Sequence, residues 1–244
     1  MMRADALHAA WRALPQAADE RLLTSSRPMI LAPHADDETL GCGGLIAELC
    51  ARGRPPLVVI VTDGTGSHPN SATWPPSRLR ALREHEARAA TAVLGLPDPC
   101  LGFLRLRDTA APREGDAFEA ACRAIALRAS ACDTLLAPWL GDPHCDHEAV
   151  QLMARRVADG LGARLLSYPV WGWLIEGATS VDETPPVAGF SLDITRHLPR
   201  KAAAIRLHAS QYTNMIDDDP SGFRLPEALL SVFEQPRETY LEAR

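Results

Sequence analysis

The feature that most constrains how this chain can fold is a series of short apolar runs without alternation, each followed by a helical stretch. Residues 56–62, Pro-Leu-Val-Val-Ile-Val-Thr, are apolar at both parities. A strand with one wet face would alternate, so this run belongs in a sheet covered on both sides, as parallel sheets are. Similar runs occupy residues 28–33, 100–104, 133–137, 164–170 and 190–194. Between them lie stretches of helical spacing. Residues 43–52 carry Leu45, Ile46 and Leu49, and residues 77–94 carry Leu79, Leu82, Ala89, Ala90, Val93 and Leu94 on one face, with Gly95 as a stop. Residues 117–129, 147–160, 199–211 and 225–233 read as further helices. Strands alternating with helices predict an α/β fold, a Rossmann-like, mostly parallel sheet with helices on both faces and right-handed crossovers. Its ligands belong at the carboxyl ends of the strands.

The 244 residues are expected to form one domain, and 46 % hydrophobic content supplies the core it needs. Residues 1–26 read as a helical N-terminal extension, with a short amphipathic helix at 5–14, and the acidic, Pro/Gly-containing region within 212–224 reads as a mobile loop. The net charge is −6 with basic residues scattered, which argues against nucleic acid or an anionic membrane as partner. No run approaches the roughly 18 apolar residues of a membrane span. The six cysteines lack C-x-x-C spacing, and the N-terminus lacks a continuous apolar core, so free thiols and a cytoplasmic location are expected. A homo-oligomer is left open.

The chemistry concentrates where the strands are expected to end. Residues 32–44, Ala-Pro-His-Ala-Asp-Asp-Glu-Thr-Leu-Gly-Cys-Gly-Gly, place His34 and three consecutive acids directly after the first run. Adjacent carboxylates near an interior require a positive partner, and a divalent cation meets that need. His34 and Asp37, three apart in a tight turn, can converge on one ion. The stretch Gly-Asp-Pro-His-Cys-Asp-His at 141–147, after the fourth run, offers His144 and His147 as further ligands. Three protein ligands would leave positions for water and substrate, as in catalytic zinc sites. Each residue also has a duller explanation: His34 as a hydrogen-bonded strand-end histidine, Asp37, Thr39 or Asp146 as helix caps. Those explanations fail jointly, because two His/Asp clusters fall just after two separate strands.

These residues resemble the PIG-L/LmbE family of zinc-dependent N-deacetylases. The family's A-H-P-D-D-E motif corresponds to Pro33-His34-Ala35-Asp36-Asp37-Glu38, with alanine in place of proline, and its H-P-D-H motif to His144-Cys145-Asp146-His147, again without the proline. Arg83 to Glu86 resembles the family's R-x-x-E, Asp108 stands where the family offers an aspartate to sugar hydroxyls, and residues 201–211 resemble its C-terminal helix. The resemblance implies that His34, Asp37 and His147 bind zinc, that Asp36 is the general base, and that His144 faces the substrate carbonyl with Asp146 orienting its ring. It implies an N-acetylated small molecule, usually a sugar of the N-acetylglucosamine type or its conjugate, as substrate, with Arg83 and Asp108 as substrate contacts. Such a ligand set would also accept Fe²⁺, Co²⁺ or Mn²⁺.

Chemically, the metal would polarise the acetyl carbonyl and activate a water. Asp36 would take that water's proton and deliver one to the departing nitrogen, and a protonated His144 would stabilise the oxyanion. An amidase acting on another amide would share every one of these residues. A nucleotide-binding Rossmann protein is the other alternative, because Gly41-Cys42-Gly43-Gly44 follows the first strand, although Ile46 stands where G-x-G-x-x-G needs its third glycine. Trp171, Trp173 and His208 are left without a role.

Overall fold

The computed structural model describes residues 1–16, 22–23, 27–183 and 187–242. Five strands form a parallel block: β2 (Pro28–Ala32), β3 (Leu57–Thr62), β4 (Leu101–Leu106), β5 (Thr134–Pro138) and β6 (Arg164–Tyr168). Their order is β4-β3-β2-β5-β6, extended by two further strands, β9 (Arg237–Glu242) and β8 (Gly189–Asp193). β9 runs antiparallel to both of its neighbours, β6 and β8. β9 has no counterpart among the expected strands. A two-residue pairing between β1 (Met2–Arg3) and β7 (Ser180–Val181) forms a separate small sheet.

The unbroken apolar runs are explained by the two layers that cover the sheet. In β2, Ile30 and Ala32 join one core cluster while Met29 and Leu31 join another. In β3, Val58 and Ile60 face the first and Val59 and Val61 the second, the two-residue period of a pleated strand. Helices α2 (Asp37–Ala51), α3 (Pro76–Val93) and α6 (Leu198–Leu207) supply the first layer. Helices α4 (Gly115–Arg128) and α5 (Cys145–Leu161) supply the second. The N-terminal helix α1 (Ala4–Arg12) packs Leu7 and Trp11 against Trp139 and Leu241 in a third, smaller cluster, and Trp173 lies against Trp11 with ring centroids 4.8 Å apart. Pro15 accepts a hydrogen bond from the Ser191 amide, while residues 17–21 and 24–26 of the expected N-terminal extension lie outside the described residues.

Two expectations change. The helix expected from residue 43 begins at Asp37, so the glycine run is helical. A Cβ on Gly41 would stand 2.3 Å from the Tyr168 ring, and one on Gly44 2.3 Å from Ile194, so these glycines admit close neighbours rather than a turn. That packing also removes the phosphate-loop reading of Gly41 to Gly44. Second, the expected helix 199–211 is broken at His208, whose ψ of 56° separates α6 from the short α7 (Ala209–Tyr212). The stretch expected as a mobile loop hydrogen-bonds to residues 67–73. Asp218 accepts from the Ser71 hydroxyl and the Thr73 amide, Asp219 from the Asn70 amide, and the Phe223 amide donates to the Ser67 carbonyl. The chain then closes with α8 (Glu227–Phe233) and β9. Among the described residues, no helix is long and apolar enough to cross a membrane.

Candidate active site

The chain winds from β2 outward to β3 and β4, then returns to place β5 on the other side of β2. Between β2 and β5 the loops leave the sheet in opposite directions and open a crevice at the strand ends. His34 to Asp37 follow β2 on one lip, and His144 to His147 open α5 on the other.

The two loops meet. Asp37 Oδ2 lies 3.2 Å from His34 Nδ1 and 3.3 Å from His147 Nε2, and accepts the His34 amide at 2.9 Å. His34 Nε2 lies 3.2 Å from Asp108 Oδ1 and 3.2 Å from Asp146 Oδ2. One ligand atom from each of His34, His144 and His147 falls within 4.8 Å of the others. His147 Nε2 is buried without a hydrogen-bond partner among the described residues, while its Nδ1 is 2.9 Å from Asp142 Oδ2. Burial works against a charge on His147, yet Asp37 and Asp142 outweigh it and push the imidazole up to about 9. The cluster therefore draws positive charge into a buried place. Two ligands of a tetrahedral ion at 2.0–2.1 Å stand about 3.3–3.4 Å apart, close to both separations from Asp37 Oδ2. The donor set of two imidazoles and a carboxylate fits a divalent cation.

Asp36 sits beside this cluster in a strained conformation, with φ 147°. Its amide donates to Glu38 Oε2, and its Oδ2 accepts from Arg83 Nη2 at 3.2 Å. Burial pushes the Asp36 carboxyl up to about 7, opposed by the Arg83 charge and reinforced by Asp37. Arg83 is only 3 % exposed and also donates to the carbonyls of Ala35 and Gly64, so it does not form the surface pair with Glu86 that helical spacing suggests. Glu86 instead accepts the amide and hydroxyl of Ser210.

His144 departs from expectation in two ways. Its Nδ1 accepts the backbone amide of Asp146 at 3.2 Å, so the neutral ring carries its proton on Nε2. Burial, then the neighbouring His34 and His147, pull this imidazole down to about 4, which leaves it neutral rather than protonated. Among the described residues the Asp146 carboxylate makes no hydrogen bond to the His144 ring, although one of its oxygens lies within 4.8 Å of a ring nitrogen. It accepts from the Thr109 and Ala111 amides at 2.7 and 3.0 Å and faces His34. The residue orients His144 through its main chain, not its side chain. Cys145 is exposed, with its Sγ near the Thr109 carbonyl.

His34, Asp36, Asp37 and His144 line a pocket of about 150 Å³ together with Leu40, Gly66, Ser67, Thr109, Trp171, Gln211, Phe223 and Leu225. Sites for drug-sized ligands run to about 300–1,000 Å³, so this pocket has room for only part of such a molecule. Arg83 and Asp108 both line it, and Asp108 Oδ2 accepts the Gly66 amide. Of the residues left without a role, Trp171 is in the lining and Trp173 in the α1 core. His208 lies under the site, with Nε2 3.1 Å from the Thr39 hydroxyl and 3.3 Å from Glu38 Oε1. Asp142 went unnoticed in the sequence, because an acid before Pro143 reads as a turn residue. Its signal was its place five residues before His147, which α5 folds back upon it.

Known proteins resemble this chain in sequence and in fold. A curated relative, 2'-N-acetylparomamine deacetylase of Streptomyces fradiae, is 32 % identical over 60 % of this chain; the match spans 57 % of the relative's length. Among solved structures, the N,N'-diacetylchitobiose deacetylase of Pyrococcus horikoshii is similar with a TM-score of 0.61 at 21 % identity, covering 88 % of this chain and 82 % of its own. The A40926 pseudoaglycone deacetylase reaches 0.66 at 19 % identity, covering 88 % and 96 %. At those identities the structures speak for the fold. The family model described as GlcNAc-PI de-N-acetylase, or PIG-L, matches residues 29–158, a span that holds both lips of the crevice and more than half of the chain, and the chain belongs to that family.

Proposed function

We propose that the chain is a metal-dependent N-deacetylase that removes the acetyl group from an N-acetylated amino sugar or its conjugate. The observation that carries the reading is the convergence of His34, Asp37 and His147 on one point beside the Asp36 carboxylate. The family match and the deacetylase relative support it. His34, Asp37 and His147 would hold the cation, Zn²⁺ first and Fe²⁺, Co²⁺ or Mn²⁺ as alternatives for the same donors. When bound, such an ion polarises the acetyl carbonyl and lowers the pKa of a water.

The chain's own residues do the rest. Asp36 accepts the proton of the attacking water and returns one to the amide nitrogen, so that the C–N bond breaks to acetate and a free amine. The Arg83 guanidinium and the Glu38 carboxylate hold Asp36 in place from two sides. His144 donates from Nε2–H to the oxygen that gains negative charge, and the Asp146 amide at Nδ1 keeps the proton on that side. This donor needs no charge on the ring. Asp108 and Arg83 would contact the sugar hydroxyls, a reading supported by their place in the pocket lining.

The test is acetate release from a panel containing N-acetylglucosamine, N,N'-diacetylchitobiose and N-acetylparomamine, by zinc-loaded and chelator-treated protein. Release from at least one compound that stops with the chelator is expected. A zinc-loaded protein that frees no acetate from any of them overturns the reading.

A further inference from the structure

Asp142 lies outside both motifs and does not line the pocket, yet two parts of the site depend on it. Its side chain is completely buried. Oδ2 faces His147 Nδ1 at 2.9 Å and accepts the amides of Val170 and Trp171 at 3.0 and 3.2 Å, and Oδ1 accepts the Gly172 amide at 2.6 Å. Three successive amides aimed at one carboxylate make a corner of backbone suited to an anion. That corner belongs to the turn Trp171–Leu174, which follows β6. From it the Trp171 indole enters the pocket lining and meets Phe223 edge to face, with centroids 5.7 Å apart.

We propose that Asp142 is a positioning residue that sets the ligand nitrogen of His147 and the place of Trp171 at once. The inference rests on reading His147 as a metal ligand. A neutral imidazole has one donor nitrogen and one acceptor nitrogen. Carboxylates only accept, so Nδ1 donates to Asp142; at Nε2, where Asp37 Oδ2 lies 3.3 Å away, a bound cation would take the place of a proton and leave Nε2 as the ligand nitrogen. A metal-ligating histidine whose other nitrogen is held by a carboxylate is oriented as well as made more basic. Here the same carboxylate also anchors the segment that carries a pocket aromatic. A displacement of Asp142 therefore moves the metal site and the substrate wall together.

Asp142→Asn tests this without changing size. Four donors meet the two oxygens, so the new NH₂ group faces a donor whichever way the amide turns. The relief open to His147 is to move its proton to Nε2, where the ligand lone pair was. Zinc affinity, read by competition with a chromogenic chelator, is expected to fall about 10–100-fold. Trp171→Ala is expected to leave zinc affinity unchanged and to raise the KM for methyl N-acetylglucosaminide about tenfold, with a smaller effect on kcat. In zinc-loaded wild-type protein, ¹⁵N spectra should show the His147 proton on Nδ1; metal on Nδ1 would overturn the proposal even if the variant did not fold. Unchanged zinc affinity in Asp142→Asn beside a zinc-binding wild type sinks this inference alone. A wild type that binds no zinc sinks the deacetylase reading with it.

Discussion

At the scale of single residues, the site depends on Asp36 being both strained and buried. A non-glycine residue at φ 147° costs about 1–3 kcal/mol and persists only where its surroundings impose it. Here the Glu38 carboxylate on its amide and Arg83 on its side chain do so, and they keep the carboxylate out of the set formed by His34, Asp37 and His147. Asp36→Asn keeps the shape and an oxygen for Arg83 but cannot shuttle a proton. Turnover should fall about 10²–10⁴-fold while zinc content per chain, by elemental analysis, stays that of the wild type. A near-normal rate would remove Asp36 from the mechanism. At this scale the sequence was informative, since His34, Asp36, Asp37, His144 and His147 stand in two short stretches whose composition makes sense only together. It was misleading for Asp146, because a carboxylate next to a histidine suggests a contact that the helix start prevents. The side chain at the second position of α5 points to the 109–111 turn, and only its amide is left for His144.

At the scale of elements, α2 explains both a misreading and a vulnerability. Its glycines looked like a loop because sequence cannot show that Tyr168 and Ile194 occupy the space their side chains would fill. β9 was missed for a related reason. Its Glu238 points inward and is buried, where an apolar residue would mark a strand, and it accepts from the Gly44 and Leu45 amides at 2.7 and 2.8 Å. A regular helix would aim those amides at the carbonyls of Leu40 and Gly41. Lys201, the chain's single lysine, neutralises Glu238 at 2.7 Å. Glu238→Gln would strand that ammonium in the core, and losing one partner of a buried pair costs about 3–5 kcal/mol. Urea unfolding should show a loss of that order; a loss below about 1 kcal/mol would mean that Lys201 finds another partner. Gly44→Ala sets two effects against each other. Alanine gains about 1 kcal/mol in helix propensity, but its Cβ would lie 2.3 Å from Ile194 Cγ2 and 2.6 Å from its Cβ. The nearer atoms are not the far end of a flexible chain, so overpacking of about 1–3 kcal/mol should win and the variant should be less stable. A more stable variant would show that the turn after β8, which carries Ile194, can shift away from α2.

At the scale of the whole molecule, the site exists only because three loops from different strands close on one point. His34 and Asp37 follow β2, Asp108 follows β4, and Asp142, Asp146 and His147 follow β5. Without a cation, these loops press four buried carboxylates against two imidazoles. A bound ion removes that repulsion and ties the strand ends together, and it acts on the folded state alone because the unfolded chain scatters its ligands. At a free zinc concentration about 100 times Kd, binding adds about 2.7 kcal/mol. For a chain of this length each kcal/mol moves the melting temperature by about 2–4 °C. Zinc should therefore raise the midpoint of chelator-treated protein by about 5–10 °C. The variants divide this effect by role. Asp36→Asn should keep the full shift, since the proposed ligand set leaves Asp36 out, while His147→Ala should lose most of it. If the chelator-treated and zinc-loaded proteins melt together, the three loops meet for packing rather than for a metal. If instead Asp36→Asn loses the shift as fully as His147→Ala, Asp36 is a ligand and the proton carrier must be sought elsewhere in the pocket.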